Sequence, residues 1–138
     1  MKLSENFTLN ELLRSDTANR LKIVEQYTPS QAVIENLRKL CINILQPLRN
    51  HLGKQIRITS GFRCNRLNST IGGARKSQHT EGKAADIEVD GMSNQELMKI
   101  IIDLDLPFDQ AINEYEPNGW VHVSFDDKRN RKQILKIG

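Results

Sequence analysis

Two histidines and an aspartate stand out for the chemistry they could do together. His79 and Asp86 lie in SQHTEGKAADIEV (residues 77–89), and His122 lies in WVHVSF (residues 120–125). Two imidazoles and one carboxylate form a three-ligand set for zinc with the fourth position open. A hydrolase needs that open position, because zinc brings the pKa of a bound water to ~7 and polarises the carbonyl under attack. Taken singly, each residue is more simply a satisfied structural histidine or a solvated carboxylate. The set of three on polar faces is what points to a metal. An iron oxygenase uses the same residue types, but with tighter spacing than the seven-residue step from His79 to Asp86. The third histidine, His51, falls at the end of an expected helix and reads as a surface imidazole near the last carbonyls.

These side chains need elements to aim them. In AADIEV (residues 84–89), strand alternation puts Ala85, Ile87 and Val89 on one face and Asp86 with Glu88 on the other. In WVHVSF, Val121, Val123 and Phe125 share a face, opposite Trp120, His122 and Ser124. If the two strands are neighbours, Asp86 and His122 point into one cleft, and the loop carrying His79 can fold over it. Hydrolysis by a metal-bound water also wants a general base. FDQAINEY (residues 108–115) reads as the strand before WVHVSF, with Pro117, Asn118 and Gly119 as a three-residue hairpin loop. That loop is a type I turn ending in a left-handed glycine and a G1 bulge. It pairs Glu116 with Trp120 and sets Glu114 opposite His122, with Cβ atoms ~4.5–5.5 Å apart. Glu114 is the expected base, with Glu116 and Glu88 in reserve. A loop of another length could turn Glu114 to the other face.

The first half of the chain reads helical. FTLNELL offers Thr8 as N-cap, Glu11 to complete a capping box, and Phe7 and Leu12 as a hydrophobic staple. A longer helix is expected from Thr28 as cap, with Pro29 at its first position and Gln31 at its third. Val33, Leu37, Cys41, Ile44, Leu45 and Leu48 then recur at helical spacing. Pro47 should bend or break this helix near its end, and Gly53 suits the stop. MSNQELMKIIIDL repeats the capping pattern with Ser93, Glu96, and Met92 against Leu97. IRIT (residues 56–59) is the first of about four strands. Helices first and strands later predict an α+β fold: an antiparallel sheet of about four strands with helices on one side. A chain of 138 residues suggests one domain, with residues 1–30 a helical preface to a core over 31–138.

Composition narrows the function classes. Twenty basic against seventeen acidic residues leave a net charge of +3 and a pI near 9.0. That is too mild a balance for a nucleic-acid footprint, and KRNRK (residues 128–132) lacks interleaved aromatics and reads as a solvated surface. No apolar run is long enough to span a membrane, and MKLSENFTLNELL has no secretory h-region. The expectation is synthesis in the cytoplasm, with any delivery to the outside left to another component. Cys41 falls on a helical apolar stripe and reads as core, and Cys64 sits in a loop. They form no CxxC pair, so a thiolate zinc site is disfavoured, and a bridge between them stays open.

The combined motif is more specific than any one residue. Ser77-x-His79-x-x-Gly82-x-Ala84-x-Asp86, then Trp120-Val121-His122, resembles the zinc D-Ala-D-Ala carboxypeptidases and related peptidoglycan peptidases, phage endolysins among them. TSGFR (residues 59–63), Leu67-Asn68, Gly72-Gly73, FTLNELLRSDTA and NLRKLCINILQPLR extend the likeness over nearly the whole chain, toward the family's small phage-type members. The resemblance implies the α+β fold shared with the hedgehog signalling domain and one zinc ion held by His79, Asp86 and His122. It implies that Arg63 binds the substrate carboxylate or carbonyl, which suits a guanidinium fork. Trp120 is expected to line the substrate site. Ser77 is expected either to hydrogen-bond substrate or only to stabilise its loop. Many members carry a catalytic carboxylate three residues before the last zinc histidine. Here that position is Gly119, and small phage-type members resemble this chain in having a glutamate like Glu114 on the preceding strand. The implied partner is a peptidoglycan stem peptide, cut by a monomer as carboxypeptidase or endopeptidase after release through a phage holin-type hole. A wall-binding or virion module that keeps the fold without hydrolysis is the alternative.

Overall fold

The central strands are buried on both faces: Asp86, His122 and Ser124, on the face away from the apolar core, are as enclosed as Ala85, Ile87 and Val123 on the other. The computed structural model describes residues 1–138. A two-stranded ribbon, β1 (Lys2–Ser4) and β2 (Phe7–Thr8), leads into α1 (Leu9–Leu13), α2 (Asp16–Leu21) and a 3₁₀ turn, Val24–Tyr27. A long helical run follows as α3 (Gln31–Leu40), a π-helical segment (Cys41–Leu45) and α4 (Gln46–Leu52). Next come β3 (Arg57–Ser60), α5 (Asn65–Thr70), a second 3₁₀ turn (Gln78–Glu81) and β4 (Ala84–Glu88). The chain closes with α6 (Asn94–Asp103), β5 (Gln110–Glu114), β6 (Trp120–Ser124) and β7 (Gln133–Ile137).

The fold is α+β as expected, but the main sheet has five strands and is mixed. Its order is β3-β4-β6-β5-β7, antiparallel except for β7, which runs parallel to β5. All five residues of β7 are exposed, so no alternating pattern marks it in the sequence. It is held instead by its backbone ladder and by Gln133, whose N–H donates to the Asp109 carbonyl at 2.9 Å. Ala85, Ile87, Ala111, Val121 and Val123 turn one face of the sheet into the core, joined there by Leu37, Ile44, Leu48, Leu97 and Ile101 from the helices. Leu3, Phe7 and Leu12 belong to the same core. No helix is long and apolar enough to cross a membrane.

Capping decides where the helices begin. Thr8 with Glu11, and Ser93 with Glu96, form the two reciprocal capping boxes expected. The cap of α3 is Ser30, not Thr28: Ser30 Oγ accepts from Val33 N, while the Thr28 hydroxyl turns back to the Glu25 carbonyl at the end of the 3₁₀ turn. Pro29 therefore precedes the cap and is not the first helical residue. Pro47 does not end its helix either. The run continues to Leu52, and the wider π turn immediately before Pro47, with Gln46 N reaching back to the Cys41 carbonyl, accommodates a residue that has no N–H to give. Gly53 closes it in the left-handed conformation. Cys41 and Cys64 are both buried and free.

The β5–β6 connection departs from the expected hairpin. Glu114 pairs with Trp120 and Ile112 pairs with His122, so the loop spans residues 115–119. Tyr115 takes the positive φ, at 56°, and Gly119 does not. Gly119 is needed for a different reason: a Cβ there would lie 1.7 Å from the Glu114 carbonyl oxygen. The loop is longer than expected by two residues, an even number, so Glu114 keeps its face and loses only its partner.

Candidate active site

The three metal-capable side chains arrive from two strands and one turn. Asp86 and His122 are directly opposed in the β4–β6 ladder, both pointing away from the core. His79 is delivered by the 3₁₀ turn, whose N-cap is Ser77, with Ser77 Oγ accepting from His79 N at 3.2 Å. Gly82, in the left-handed conformation, ends that turn and returns the chain to β4. All three side chains are buried, and one ligand atom from each lies within 4.8 Å of the others.

The hydrogen bonds select which atoms face inward. His79 Nδ1 lies 2.8 Å from the Gly61 carbonyl, which can only accept its proton and so turns Nε2 toward Asp86 Oδ1, 3.3 Å away. His122 Nδ1 lies 3.1 Å from the same oxygen. The two rings meet edge to face with centroids 5.1 Å apart. Burial disfavours a charge on Asp86, yet its contacts to His122 and His79 outweigh this and hold the carboxyl well below the usual carboxylate range. Two imidazole nitrogens and a carboxylate oxygen converging on one point repel unless a cation or shared protons lie among them. His122 Nε2 is buried with no hydrogen-bond partner. The N, N, O donor set fits a divalent metal.

Four further side chains, Arg63, Ser77, Glu114 and Trp120, frame this point. Arg63 Nη2 lies 3.4 Å from Asp86 Oδ2, so the guanidinium takes one carboxylate oxygen and leaves Oδ1 to the imidazole side. Arg63 Nε donates to Ser60 Oγ at 3.1 Å and Nη1 to Asn68 Oδ1 at 3.2 Å. The irregular register at the end of β3 sets Ser60 opposite Asp86 and so within reach of Arg63. Glu114 Oε2 lies 4.0 Å from His122 Nδ1 and accepts from Trp120 Nε1 at 3.0 Å. Ser77, Glu114 and Trp120 all line a cleft of about 320 Å³ with the three metal-capable residues. The other two glutamates point elsewhere. Glu116 accepts from Asn113 Nδ2 and Gln95 N, and Glu88 is paired with Arg57. His51 is exposed in the last turn of α4 and does not line the cleft.

A model of the family described as Peptidase M15 matches residues 5–124. The chain belongs to the M15 peptidase family. None of the curated proteins compared with it matches. The family is one of metal-dependent peptidases, and in this M15 peptidase His79, Asp86 and His122 are the residues that could hold the ion. The matched span takes in every residue named above as framing the site.

Several residues that build the site carried no signal in the sequence. Gln26 is fully buried; its Nε2 donates to the Leu13 and Phe62 carbonyls at 2.7 and 2.8 Å, and its Oε1 accepts from Cys64 N at 2.9 Å. It thereby ties the N-terminal helices to the loop that carries Gly61 and Arg63. Asn94 Nδ2 donates to Asn113 Oδ1 and to the Glu114 and Trp120 carbonyls, fixing the end of β5 and β6 that presents Glu114. Glutamine and asparagine are common polar residues, and only their burial distinguishes these two.

Proposed function

We propose that the chain is a zinc-dependent peptidase that hydrolyses a peptide bond in peptidoglycan stem peptides, with Glu114 as general base. One observation carries this reading: two imidazole nitrogens and a carboxylate oxygen converge within 4.8 Å, with the Glu114 carboxylate 4.0 Å from one of them. Zinc bound by His79, Asp86 and His122 would supply a Lewis acid that acidifies water and polarises the scissile carbonyl. The protein's own groups do the rest. Trp120 Nε1 orients Glu114 through Oε2, and Oε1 has no protein partner, so Glu114 can take a proton from the attacking water and return it to the leaving amine. A guanidinium has five N–H donors, and the three contacts of Arg63 leave two to bind a substrate carbonyl or carboxylate. Trp120 supplies an aromatic wall beside the cut bond. Ser77 lines the same cleft, where its Oγ accepts from His79 N and so steadies the turn that aims that imidazole. The absence of a carboxylate at position 119 leaves Glu114 as the base best placed for this work. The motif likeness to small phage-type members supports a role in wall lysis by a phage or prophage, acting as a monomer.

The test is mass spectrometry of purified peptidoglycan digested with zinc-loaded protein, because the new ends name the bond and separate carboxypeptidase from endopeptidase. Metal analysis of the purified protein should find zinc and not iron. Glu114→Gln should lower the rate about 10²–10⁴-fold while leaving bound metal at one ion per chain. Wall binding that survives with no new ends in wild type would replace the peptidase with a binding module.

A further inference from the structure

The cleft does not stop at the three metal-capable residues. Past Arg63, Asp86 and Trp120 it opens into a second lobe of about 420 Å³, which reaches the corner between α1 and α2 and is lined there by Arg14, Ser15, Asp16 and Thr17. Arg14 and Asp16 are exposed, and neither side chain makes a hydrogen bond or ion pair, with the other or with any third group. The backbone under them is firmly set. Phe62 N donates to the Leu12 carbonyl at 2.8 Å, and the side chain of Gln26 bridges Leu13, Phe62 and Cys64. Ser15 Oγ accepts from Ala18 N, and the Tyr27 hydroxyl donates to the Ser15 carbonyl. Gly61 approaches so closely that a Cβ there would lie 2.4 Å from the Leu12 carbonyl oxygen. A positive and a negative group are thus carried on backbone held in fixed register with Arg63, and neither is neutralised within the protein. Groups placed this way meet a ligand's charges at a reduced ordering cost.

We propose that this lobe is a specificity subsite in which Arg14 engages a free carboxylate and Asp16 a free ammonium group of one substrate residue. The preferred stem peptide then carries a diamino dicarboxylic residue, not a lysine, on that side of the cut bond. The inference rests on the peptidase reading above. Its test uses one peptide in three forms: both groups free, the carboxylate amidated, and the amine acetylated. KM and kcat are measured on the zinc-loaded protein of residues 1–138, and Kd by calorimetry on its Glu114→Gln variant. Arg14→Ala should raise KM and Kd about tenfold for the free form and leave the amidated form unchanged, with kcat moving less than about threefold. Asp16→Asn should do the same for the free form against the acetylated one. Equal losses on all three forms, or no loss on any, overturn the subsite. If wild type cuts none of the forms yet Kd follows this pattern, the peptidase reading fails and the subsite stands. If all three are cut alike and neither variant changes KM, the subsite fails and the peptidase stands.

Discussion

Asp86 and Asp109 are both buried carboxylates, and consecutive residues reach them: His79 turns to Asp86 and Gln78 to Asp109. Their surroundings differ in kind. The oxygens of Asp109 take four donors, three from Arg131 (its N–H at 3.2 Å, Nε at 2.8 Å and Nη2 at 3.0 Å) and one from Gln78 Nε2 at 2.9 Å. That carboxylate is saturated by groups that can only donate, and nothing else is needed to hold it. Asp86 meets one guanidinium at 3.4 Å and, at Oδ1, two imidazole nitrogens that serve as donors only when protonated. Burial alone therefore does not mark a working carboxylate. Asp109 fastens the start of β5 to the segment leading into β7, whereas Asp86 is left with an oxygen that suits a cation.

The largest effect should come from breaking the open site. Asp86→Asn keeps the shape but removes the charge, and metal content should fall from one ion per chain to near zero, with activity down by about 10³-fold or more. The fold of the metal-free protein should survive, as circular dichroism would show. A variant that retained stoichiometric metal would mean that Asp86 is no ligand. Arg131→Ala attacks the closed site and should do the opposite. It leaves the Asp109 charge buried with Gln78 as its remaining side-chain donor, which should lower the midpoint of a urea titration, while metal content stays at one ion. If Arg131→Ala instead lost metal at unchanged stability, the two aspartates would have exchanged roles.

Acid should read the same contrast more gently. The Arg131 side chain holds the Asp109 carboxyl down from 3.8 to about 2, against the opposing effect of burial. A depressed carboxylate contributes stability that is complete above its unfolded pKa of about 3.8 and is lost as pH falls through about 2. Wild-type stability should therefore decline as pH falls from 4 to 2. The Arg131→Ala protein should show a shallower decline over that window, measured as the urea midpoint at each pH. Parallel slopes for the two proteins would show that another carboxylate governs the acid limb.

The candidate-site side of this contrast is legible in the sequence and the supporting side is not. Asp86 and His122 stand on polar faces of strands whose other residues are apolar, and period-two alternation survives errors in loop geometry. That is why Glu114 was placed on the correct face although its partner is Trp120 and not His122. The loop itself was misread because Pro-Asn-Gly suggests a tight turn. The positive φ sits instead on Tyr115, and Gly119 is required by a close backbone approach that no local pattern announces. β7 was missed for a related reason. Its exposed Gln-Ile-Leu-Lys-Ile follows a basic run, and what fixes it, Asp109 holding the nearby Arg131 and a parallel ladder to β5, comes from more than twenty residues earlier in sequence. Thr28 is the expected cap because Pro29 then falls at the first helical position. The structure gives the cap to Ser30, because the Thr28 hydroxyl turns toward the Glu25 carbonyl and Ser30 Oγ accepts from Val33 N.

The smallest expected effect concerns Ser77, the residue just before the two aspartates' partners, Gln78 and His79. Its Oγ accepts from His79 N, and its carbonyl accepts from both the N–H and the hydroxyl of Thr80. The hydroxyl is thus already engaged as an acceptor in the turn that aims His79. Ser77→Ala removes that cap and should cost about 1 kcal/mol of stability in denaturant titration, with Ser77→Thr restoring it. A cap acts on the position of His79 and not on substrate, so the alanine variant should bind metal more weakly while KM for a stem peptide stays within about threefold of wild type. A rise in KM with metal affinity and stability unchanged would assign the hydroxyl to the substrate instead, because a donor lost from the cleft has no effect on a turn that still holds.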